Sequence, residues 1–343
     1  MSGGEPAATG GGRVDTIRLQ RLVHAYRGSA ALMAAVELGL FTAVARGAGD
    51  VTAVARALGL GETNAERLVT ACVALGLLER EGERLRNAPD VARFLVEGAP
   101  GYAGPWMLFS KPDWGAWGEL ADRLRRPDPP VVLGKYAEGF TVEAARRYHA
   151  ATYAIGMGAG RRFVRQVDLS ARRRILDLGG GSGCYCIAAC QHHPALTAVV
   201  LDLPPVVEVA REFIASHGLG DRVSAVAGDF TRDGLPAGAD VIIMASNLPQ
   251  YSRAIVAEVI ARAFAALAPG GEMHLIGEML DADRAGPVDP ALWALSEALH
   301  GSTGIAHSIP ECVGYLERAG FREVAAHEFV PTVLTRVAGR KPA

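Results

Sequence analysis

The fold of this chain is decided by residues 175–204, which read ILDLGGGSGCYCIAACQHHPALTAVVLDLP. An apolar run at residues 175–178 is typical of a buried parallel strand, and it ends in the glycine-rich turn 179–183. A helical stretch follows, and a second apolar run at residues 197–201 ends on Asp202. The order of strand, glycine turn, helix, strand and acid predicts a βαβ unit. Its turn brings the backbone close to a ligand, and its acid suits a ribose diol.

A glycine turn alone is also found in nicotinamide and flavin enzymes, so the class of protein has to be inferred from the residues around the turn. Asp177 at the end of the first strand gives the pattern Asp-x-Gly-x-Gly-x-Gly. A third predicted strand, 223–227, is followed by Asp229 and Phe230, which offer a carboxylate and an aromatic face to an adenine. Two more strands, at 240–245 and 272–278, follow with helices between them.

With these motifs the chain resembles the class I S-adenosylmethionine-dependent methyltransferases. More narrowly, it resembles the small-molecule O-methyltransferase family that carries an N-terminal winged-helix dimerisation domain. The resemblance implies an α/β fold with a Rossmann-like seven-stranded sheet, an antiparallel sheet edge at residues 321–329 and 332–339, and S-adenosyl-L-methionine as cofactor. The cofactor-binding residues that it implies are Asp177, Gly179, Gly181, Gly183, Asp202, Leu203, Asp229, Phe230 and Ser246.

The predicted organisation has four parts, which are a disordered leader at 1–15, a winged-helix dimerisation domain at 16–100, a helical connector lining the substrate pocket at 101–170, and a cofactor-binding catalytic domain at 171–343. In the second part, helices at 51–58 and 63–77 precede a hairpin that turns at Gly82. Thr63 and Glu66 predict a capping box at the start of the second helix. Helix, turn, helix and hairpin form the plan of a winged helix.

A winged helix can also read DNA, and Arg67, Arg80, Arg84 and Arg86 would then contact phosphates. Interspersed glutamates and a net charge of −2 instead favour a homodimerisation role, with neither nucleic acid nor a membrane as partner. The absence of an apolar run near 20 residues and of a secretion signal predicts a cytoplasmic protein. Cys186 and Cys190 could bind a metal or form a redox pair, but burial as small hydrophobic residues is favoured, and no metal is expected.

The substrate side is predicted from the resemblance, which places an aromatic segment near residues 100–130 and a helix at 141–166 around the acceptor. Core packing is the alternative role for the same aromatic and histidine side chains. The candidate substrate-binding residues are Trp106, Trp114, Tyr148, His149, Tyr153, Met157, Gln250, Tyr251, His300 and His307. The candidate catalytic residues are Tyr148, His149, Tyr153 and His300.

One part of the family pattern is missing from this sequence. Such O-methyltransferases carry, just after the fourth strand, a histidine followed by an acid and an aromatic residue, and the histidine takes the proton of the hydroxyl being methylated. The corresponding stretch here reads NLPQY at 247–251. Aligning Tyr251 with the aromatic residue places Pro249 at the position of the base, and proline cannot accept a proton.

The missing base leads to several hypotheses. The leading one is S-methylation of a thioether, which has no proton to lose; in this respect the chain is similar to bacterial S-methyltransferases acting on 4-methylthio-2-hydroxybutyrate in dimethylsulfoniopropionate synthesis. The alternative within the class is O- or C-methylation with His300 or His149 as base. Outside it stand a cofactor-sensing DNA-binding regulator and a nicotinamide dehydrogenase. A small-molecule substrate is expected under each of the methyl-transfer hypotheses.

Overall fold

The structure is a computed structural model, and it describes residues 14–127 and 140–343. Residues 1–13 of the predicted leader therefore lie outside the described part of the chain. Two compact units are present, Met1–Leu108 and Phe109–Ala343. The boundary between them falls inside the segment predicted as a connector, so that residues 101–108 belong to the N-terminal unit.

The described part of the N-terminal unit, residues 14–108, contains helices and one hairpin. Its elements are α1 (Ile17–His24), α2 (Tyr26–Glu37), α3 (Leu40–Ala45), α4 (Val51–Leu58), α5 (Glu62–Ala74), β1 (Leu78–Glu81), β2 (Arg84–Asn87), α6 (Pro89–Phe94) and α7 (Gly104–Met107). The hairpin turns at Gly82, which has a φ of 59°. The predicted capping box of Thr63 and Glu66 is wrong, because α5 begins one residue earlier, after Gly61, and no side chain caps it.

The arginines of the hairpin lie beside glutamates. Arg86 contacts Glu81 at 2.9 Å, and Arg80 lies 3.6 Å from Glu83. Leu78 and Leu85, in contrast, are buried in the core of this unit. The hairpin thus presents paired charges instead of the continuous basic face that phosphate binding requires.

The C-terminal unit alternates strands and helices. Its helices are α8 (Trp114–Gly118), α9 (Leu120–Leu124), α10 (Val142–Gln166), α11 (Cys184–His192), α12 (Pro204–Ser216), α13 (Arg253–Ala266), α14 (Val288–His300) and α15 (Ile309–Ala319). Its strands are β3 (Arg174–Leu178), β4 (Thr197–Asp202), β5 (Val223–Ala227), β6 (Ala239–Ala245), β7 (Leu267–Gly277), β8 (Arg322–Val330) and β9 (Leu334–Arg340). Short 3-10 turns at Lys111–Asp113 and Leu248–Gln250 complete the described elements that matter for the site.

The predicted seven-stranded sheet is confirmed. Its strand order is β5-β4-β3-β6-β7-β9-β8, with parallel pairing from β5 to β7 and antiparallel pairing on both sides of β9. The central strands are apolar on both faces because helices cover both. Ile175 of β3 packs with α10 and α11, whereas Leu176 packs with α13 and α15. Because the parallel strands end at one edge, polar residues that follow them meet there.

Helix α10 is fixed tightly against the start of α11. A Cβ atom at Gly156 would lie 2.9 Å from the Sγ atom of Cys184, and one at Gly160 would lie 2.6 Å from the carbonyl oxygen of Cys184. The glycines thus allow the two helices to approach each other closely at this point. Although α10 has 25 residues, neither it nor any other described helix is long and apolar enough to cross a membrane.

Candidate active site

Three side chains converge on the glycine turn that follows β3. Gly179 has a φ of 66°, and a Cβ there would lie 2.6 Å from Nδ2 of Asn247 and 2.9 Å from Cε1 of Phe230. Gly181 has a φ of 55°, and a Cβ there would lie 2.7 Å from Cε1 of His149. The positive φ and the lack of space both require glycine. The turn therefore lies at the carboxyl edge of the sheet, where open α/β sheets bind their ligands in a crevice.

Asp202, at the end of β4, is oriented by the backbone. Its Oδ2 accepts a hydrogen bond from the Gly181 N–H at 2.8 Å, and its Oδ1 accepts one from the Leu203 N–H at 2.7 Å. Burial raises the pKa of Asp202 to about 6, although these two N–H groups act in the opposite direction. Both oxygens keep a further lone pair, so the carboxylate can still accept hydrogen bonds from a ribose diol.

Asp177, at the end of β3, is a buried carboxyl group with an unsatisfied oxygen. Its Oδ1 has no hydrogen-bond partner, and its carboxyl carbon would lie 2.7 Å from a Cβ at Gly180. Burial, together with the nearby Asp202, raises the pKa of Asp177 to about 7. Because buried polar atoms are normally bonded, this atom indicates a position for a ligand donor, and a cationic one would be favoured.

The raised pKa of Asp177 predicts how the stability of the protein depends on pH. The ordinary pKa of an unfolded aspartate is about 3.9, so the folded, cofactor-free protein binds more protons than the unfolded chain between about pH 4 and 7. Its free energy of unfolding should therefore fall as the pH rises through that window. Asp177→Asn removes the buried charge and should raise Tm at pH 8 by about 2–4 °C or more, with little difference near pH 4.

Differential scanning fluorimetry at both pH values checks this prediction. The matched control is Asp221→Asn, which neutralises an exposed aspartate and should leave Tm unchanged at both. Equal shifts for Asp177→Asn at pH 4 and pH 8 would contradict the assignment of a buried, destabilising charge.

The adenine side of the crevice follows β5. Phe230 is buried and meets the ring of Tyr251 edge to face, with centroids 5.6 Å apart. Asp229 is half-buried, and its Oδ1 accepts hydrogen bonds from Oγ1 and the N–H of Thr231 at 2.6 and 2.9 Å. The predicted carboxylate and aromatic face thus both follow the end of β5.

The end of β6 contributes a residue that the sequence analysis missed. Nδ2 of Asn247 donates to the carbonyl oxygen of Leu178 at 3.0 Å, which ties the ends of β6 and β3 together. Its Oδ1 is buried and has no partner. Ser246 beside it has a φ of 56°, a backbone strain typical of functional sites. The available signal was a polar residue directly after the fourth strand.

Tyr251 joins the cofactor side to the acceptor side. Its side chain is buried, and burial raises its pKa well above the ordinary range; the carboxylates of Asp202, Asp229 and Glu297 raise it further. Glu297 is a buried residue of α14, and the sequence analysis did not include it among the site residues. The Tyr251 hydroxyl therefore lies among acids from three different parts of the unit.

An imidazole and a carboxylate are paired at the end of α14. Nε2 of His300 lies 3.7 Å from Oδ2 of Asp113, and both side chains are half-buried. Helix α14 lies beside the turn Leu248–Gln250, which contains the proline at the expected position of the base. The loop after α14 covers this proline, since a Cβ at Gly304 would lie 2.2 Å from the carbonyl oxygen of Pro249.

The remaining substrate candidates are partly placed by the structure. Tyr148 is half-buried and meets both Phe109 and His149 edge to face, with centroids 5.0 Å apart in each case. Gln250 is half-buried, and its carbonyl oxygen accepts a hydrogen bond from Ser302 Oγ. Trp114 lies on α8 with 37% of its surface exposed, and Trp106 lies on α7 of the N-terminal unit. Substrate contact by these residues stays a prediction.

Three further substrate candidates have packing partners in the structure, and substrate contact by them stays a prediction. His307 is fully buried, with its ring nitrogens 3.0 Å from the Tyr315 hydroxyl and 3.0 Å from the Tyr251 carbonyl oxygen. Tyr153 stacks on Phe213, and its hydroxyl is bonded to His217, so its catalytic role also stays a prediction. Met157 belongs to the core between α10, α11 and the sheet. Tyr153 and Met157 lie about 140° and 180° around α10 from Tyr148.

Together, the groups at this edge of the sheet indicate the kind of ligand that binds there. A buried aromatic ring, an oriented carboxylate and a tight glycine turn follow β5, β4 and β3, and three buried polar atoms beside them have no partner: Asp177 Oδ1, Asn247 Oδ1 and His149 Nε2. This arrangement suits an adenosine that continues into a charged amino-acid end. The fold and the site define a class I methyltransferase that uses S-adenosyl-L-methionine.

Comparisons with known proteins also indicate a methyltransferase of this kind. Residues 138–322 match the model of the O-methyltransferase domain, and residues 20–98 match that of the O-methyltransferase dimerisation domain. The chain is 35% identical to 3-hydroxy-5-methyl-1-naphthoate 3-O-methyltransferase of Streptomyces sahachiroi, over 87% of each chain. It is 34% identical to the tetracenomycin polyketide synthesis 8-O-methyl transferase of Streptomyces glaucescens, over 94% of this chain and 96% of that one.

Among solved structures, human N-acetylserotonin methyltransferase in complex with S-adenosylmethionine aligns with a TM-score of 0.81 and 26% identity. The alignment covers 98% of this chain and 100% of that one. The chain belongs to the O-methyltransferase family that carries this dimerisation domain, and it is an S-adenosylmethionine-dependent enzyme.

Proposed function

We propose that the enzyme methylates a hydroxyl oxygen of a small molecule with His300 as the general base. The observation that carries the proposal is the pair of His300 and Asp113, beside the turn in which Pro249 replaces the family's histidine. The two relatives named above act on hydroxyl groups of a naphthoate and of a tetracenomycin polyketide. A hydroxyl acceptor of similar, largely aromatic character is the best supported choice.

Different residues of the site have different roles in this reaction. The cofactor, when bound, supplies an electrophilic methyl group on a sulfonium. Asp202 and the glycine turn position that group, and Phe230 and Tyr251 shield it from water. The imidazole of His300 would take the hydroxyl proton as the O–C bond forms and the bond between the methyl carbon and the sulfonium sulfur breaks, which leaves that sulfur as a neutral thioether. The carboxylate of Asp113 would help to orient the ring and would stabilise the resulting imidazolium.

A thioether acceptor is the second candidate, and Pro249 is the observation that favours it. No proton has to leave when a thioether sulfur attacks the methyl group, so the missing base at this position would be harmless. The product is a second sulfonium, and the acids and aromatic rings around Tyr251 suit a cation. A methylthio hydroxy acid such as 4-methylthio-2-hydroxybutyrate is the acceptor in this case.

A radiolabelled methyl-transfer screen separates the two candidates. The panel contains hydroxylated naphthoates and other phenols on one side, and methylthio hydroxy acids on the other. We expect transfer to a phenol, with a rate that falls below about pH 6.5 as an imidazole base becomes protonated. Transfer to a methylthio acid at a rate that stays flat down to pH 5.5 would overturn the proposal in favour of the thioether.

We infer that two copies associate through the N-terminal unit. The match to the dimerisation domain supports this. Helix α1 contributes no buried residue, and it leaves apolar side chains such as Leu22 (68% exposed) and Val23 (69%) uncovered within one chain. A second copy would cover them. Light scattering of the full chain tests the inference, since a mass near 36.0 kDa, that of one chain, would contradict it.

A further inference from the structure

His149 has a geometry that no other role accounts for. The residue is 7% exposed, and its ring lies against the glycine turn, with Cε1 and Nδ1 at 2.7 and 3.1 Å from the position of a Cβ at Gly181. Its Nε2 is buried and has no hydrogen-bond partner. A buried ring nitrogen without a partner costs stability unless something fills its position. The structure therefore points to a ligand atom at Nε2.

The position of the turn indicates which part of the ligand this is. Along the sheet edge, Phe230 follows β5, Asp202 follows β4 and the turn below His149 follows β3. An adenine beside Phe230 and a ribose at Asp202 direct the remaining part of the cofactor to the β3 turn. That part is the amino-acid end, which carries an ammonium and a carboxylate.

The charges of the neighbouring groups indicate which of these two groups, the ammonium or the carboxylate, contacts His149. Asp177 and Asp202 are both carboxyl groups, and Oδ1 of Asp177 is an unpartnered acceptor, which suits the ammonium. Because these acids would repel the carboxylate of the cofactor, that carboxylate needs a hydrogen-bond donor facing it. We propose that His149 donates a hydrogen bond from Nε2–H to the α-carboxylate of the methyl donor, as a positioning residue for the cofactor.

This role differs from the base role predicted from the sequence. Burial lowers the pKa of His149 to about 4, so the ring is neutral at physiological pH and a poor acceptor for a phenol proton. A neutral imidazole is still a good donor through one nitrogen. The proposal rests on the assignment of the methyl donor and does not depend on the identity of the acceptor.

Three probes that differ only at the amino-acid end test the proposal by calorimetry. They are S-adenosylhomocysteine, its decarboxylated analogue, and 5′-methylthioadenosine, which lacks the whole amino-acid end. We expect His149→Phe to weaken S-adenosylhomocysteine about 10- to 100-fold and to change the affinity for the other two by less than about twofold. His149→Gln, whose amide can place a donor near Nε2, should recover much of the loss.

Each other outcome overturns the proposal. An equal loss for all three probes means that His149 only supports the fold of the turn, and an unchanged affinity for S-adenosylhomocysteine means that it does not contact the carboxylate. If His149→Phe does not fold, nitrogen-15 NMR of labelled histidine in the wild-type protein decides. The Nε2 signal must then respond to S-adenosylhomocysteine and not to the decarboxylated analogue. A wild-type protein that binds these probes but methylates no phenol contradicts the proposed function and leaves this inference intact.

Discussion

Replacing His300 with glutamine is expected to lower kcat for a hydroxyl acceptor by about 10²- to 10⁴-fold. Glutamine keeps much of the volume and places an amide near Asp113, but it cannot take a proton. Because His300 does not belong to the cofactor crevice, the affinity for S-adenosylhomocysteine should stay within about twofold of wild type. The acidic limb of the pH–rate profile should also disappear, since that limb reports the base.

His192→Gln is the matched control for this experiment. His192 is exposed at the far end of α11, so the same chemical change there should leave kcat and the pH profile unaltered. A His300→Gln enzyme with a kcat within twofold of wild type would contradict the assignment of the base. Together with a flat pH profile, that result would support a thioether acceptor.

Asp202→Asn is expected to weaken S-adenosylhomocysteine about 10- to 100-fold. The carboxylate now accepts from the N–H groups of Gly181 and Leu203 and is proposed to accept from a ribose as well. An asparagine has one acceptor oxygen, and its NH2 group would face one of the two backbone N–H groups. Both the ribose contact and the shape of the glycine turn should suffer. Calorimetry with S-adenosylhomocysteine measures the effect.

Asp240→Asn provides an unusually close control. Asp240 also accepts from two backbone N–H groups, those of Arg173 and Arg174 at 2.6 and 2.9 Å, but it does so at the amino edge of the sheet. The substitution should lower Tm and leave the cofactor affinity unchanged. If Asp240→Asn weakens the cofactor as much as Asp202→Asn does, the loss comes from the stability of the sheet and the ribose assignment is wrong.

Much of the fold could be predicted because its signals are local. The strand at Val223–Ala227 agrees with the prediction residue for residue, and α10 ends at the predicted Gln166. Apolar runs bounded by glycine, proline and acids define such elements within a short window. The predicted capping box at Thr63 failed because its pattern competed with Gly61, whose extended backbone starts the helix without a side-chain cap.

The cofactor side of the site was more accessible to sequence reasoning than the acceptor side. Asp177 and Asp202 come from one short motif, whose spacing fixes where they meet. Glu297 and Asp113 reach the acceptor side from segments far apart in the chain, and spacing carries no information about such convergence. His307 shows a related difficulty, because the sequence does not distinguish an interior histidine with two bonded ring nitrogens from one that binds a ligand.

The contact of Gly156 and Gly160 with Cys184 has a consequence for how acceptors are selected. A helix that touches its neighbour at backbone distance cannot slide along it without a clash. The glycine turn with the start of α11, which is proposed to hold the methyl donor, and the face of α10 that carries Tyr148 should therefore behave as one rigid body. Adaptation to acceptors of different shape is then left to α14 and the loop at 301–308. Substitutions there could alter acceptor choice while the donor geometry stays constant, which gives one scaffold a physical route to diverse products.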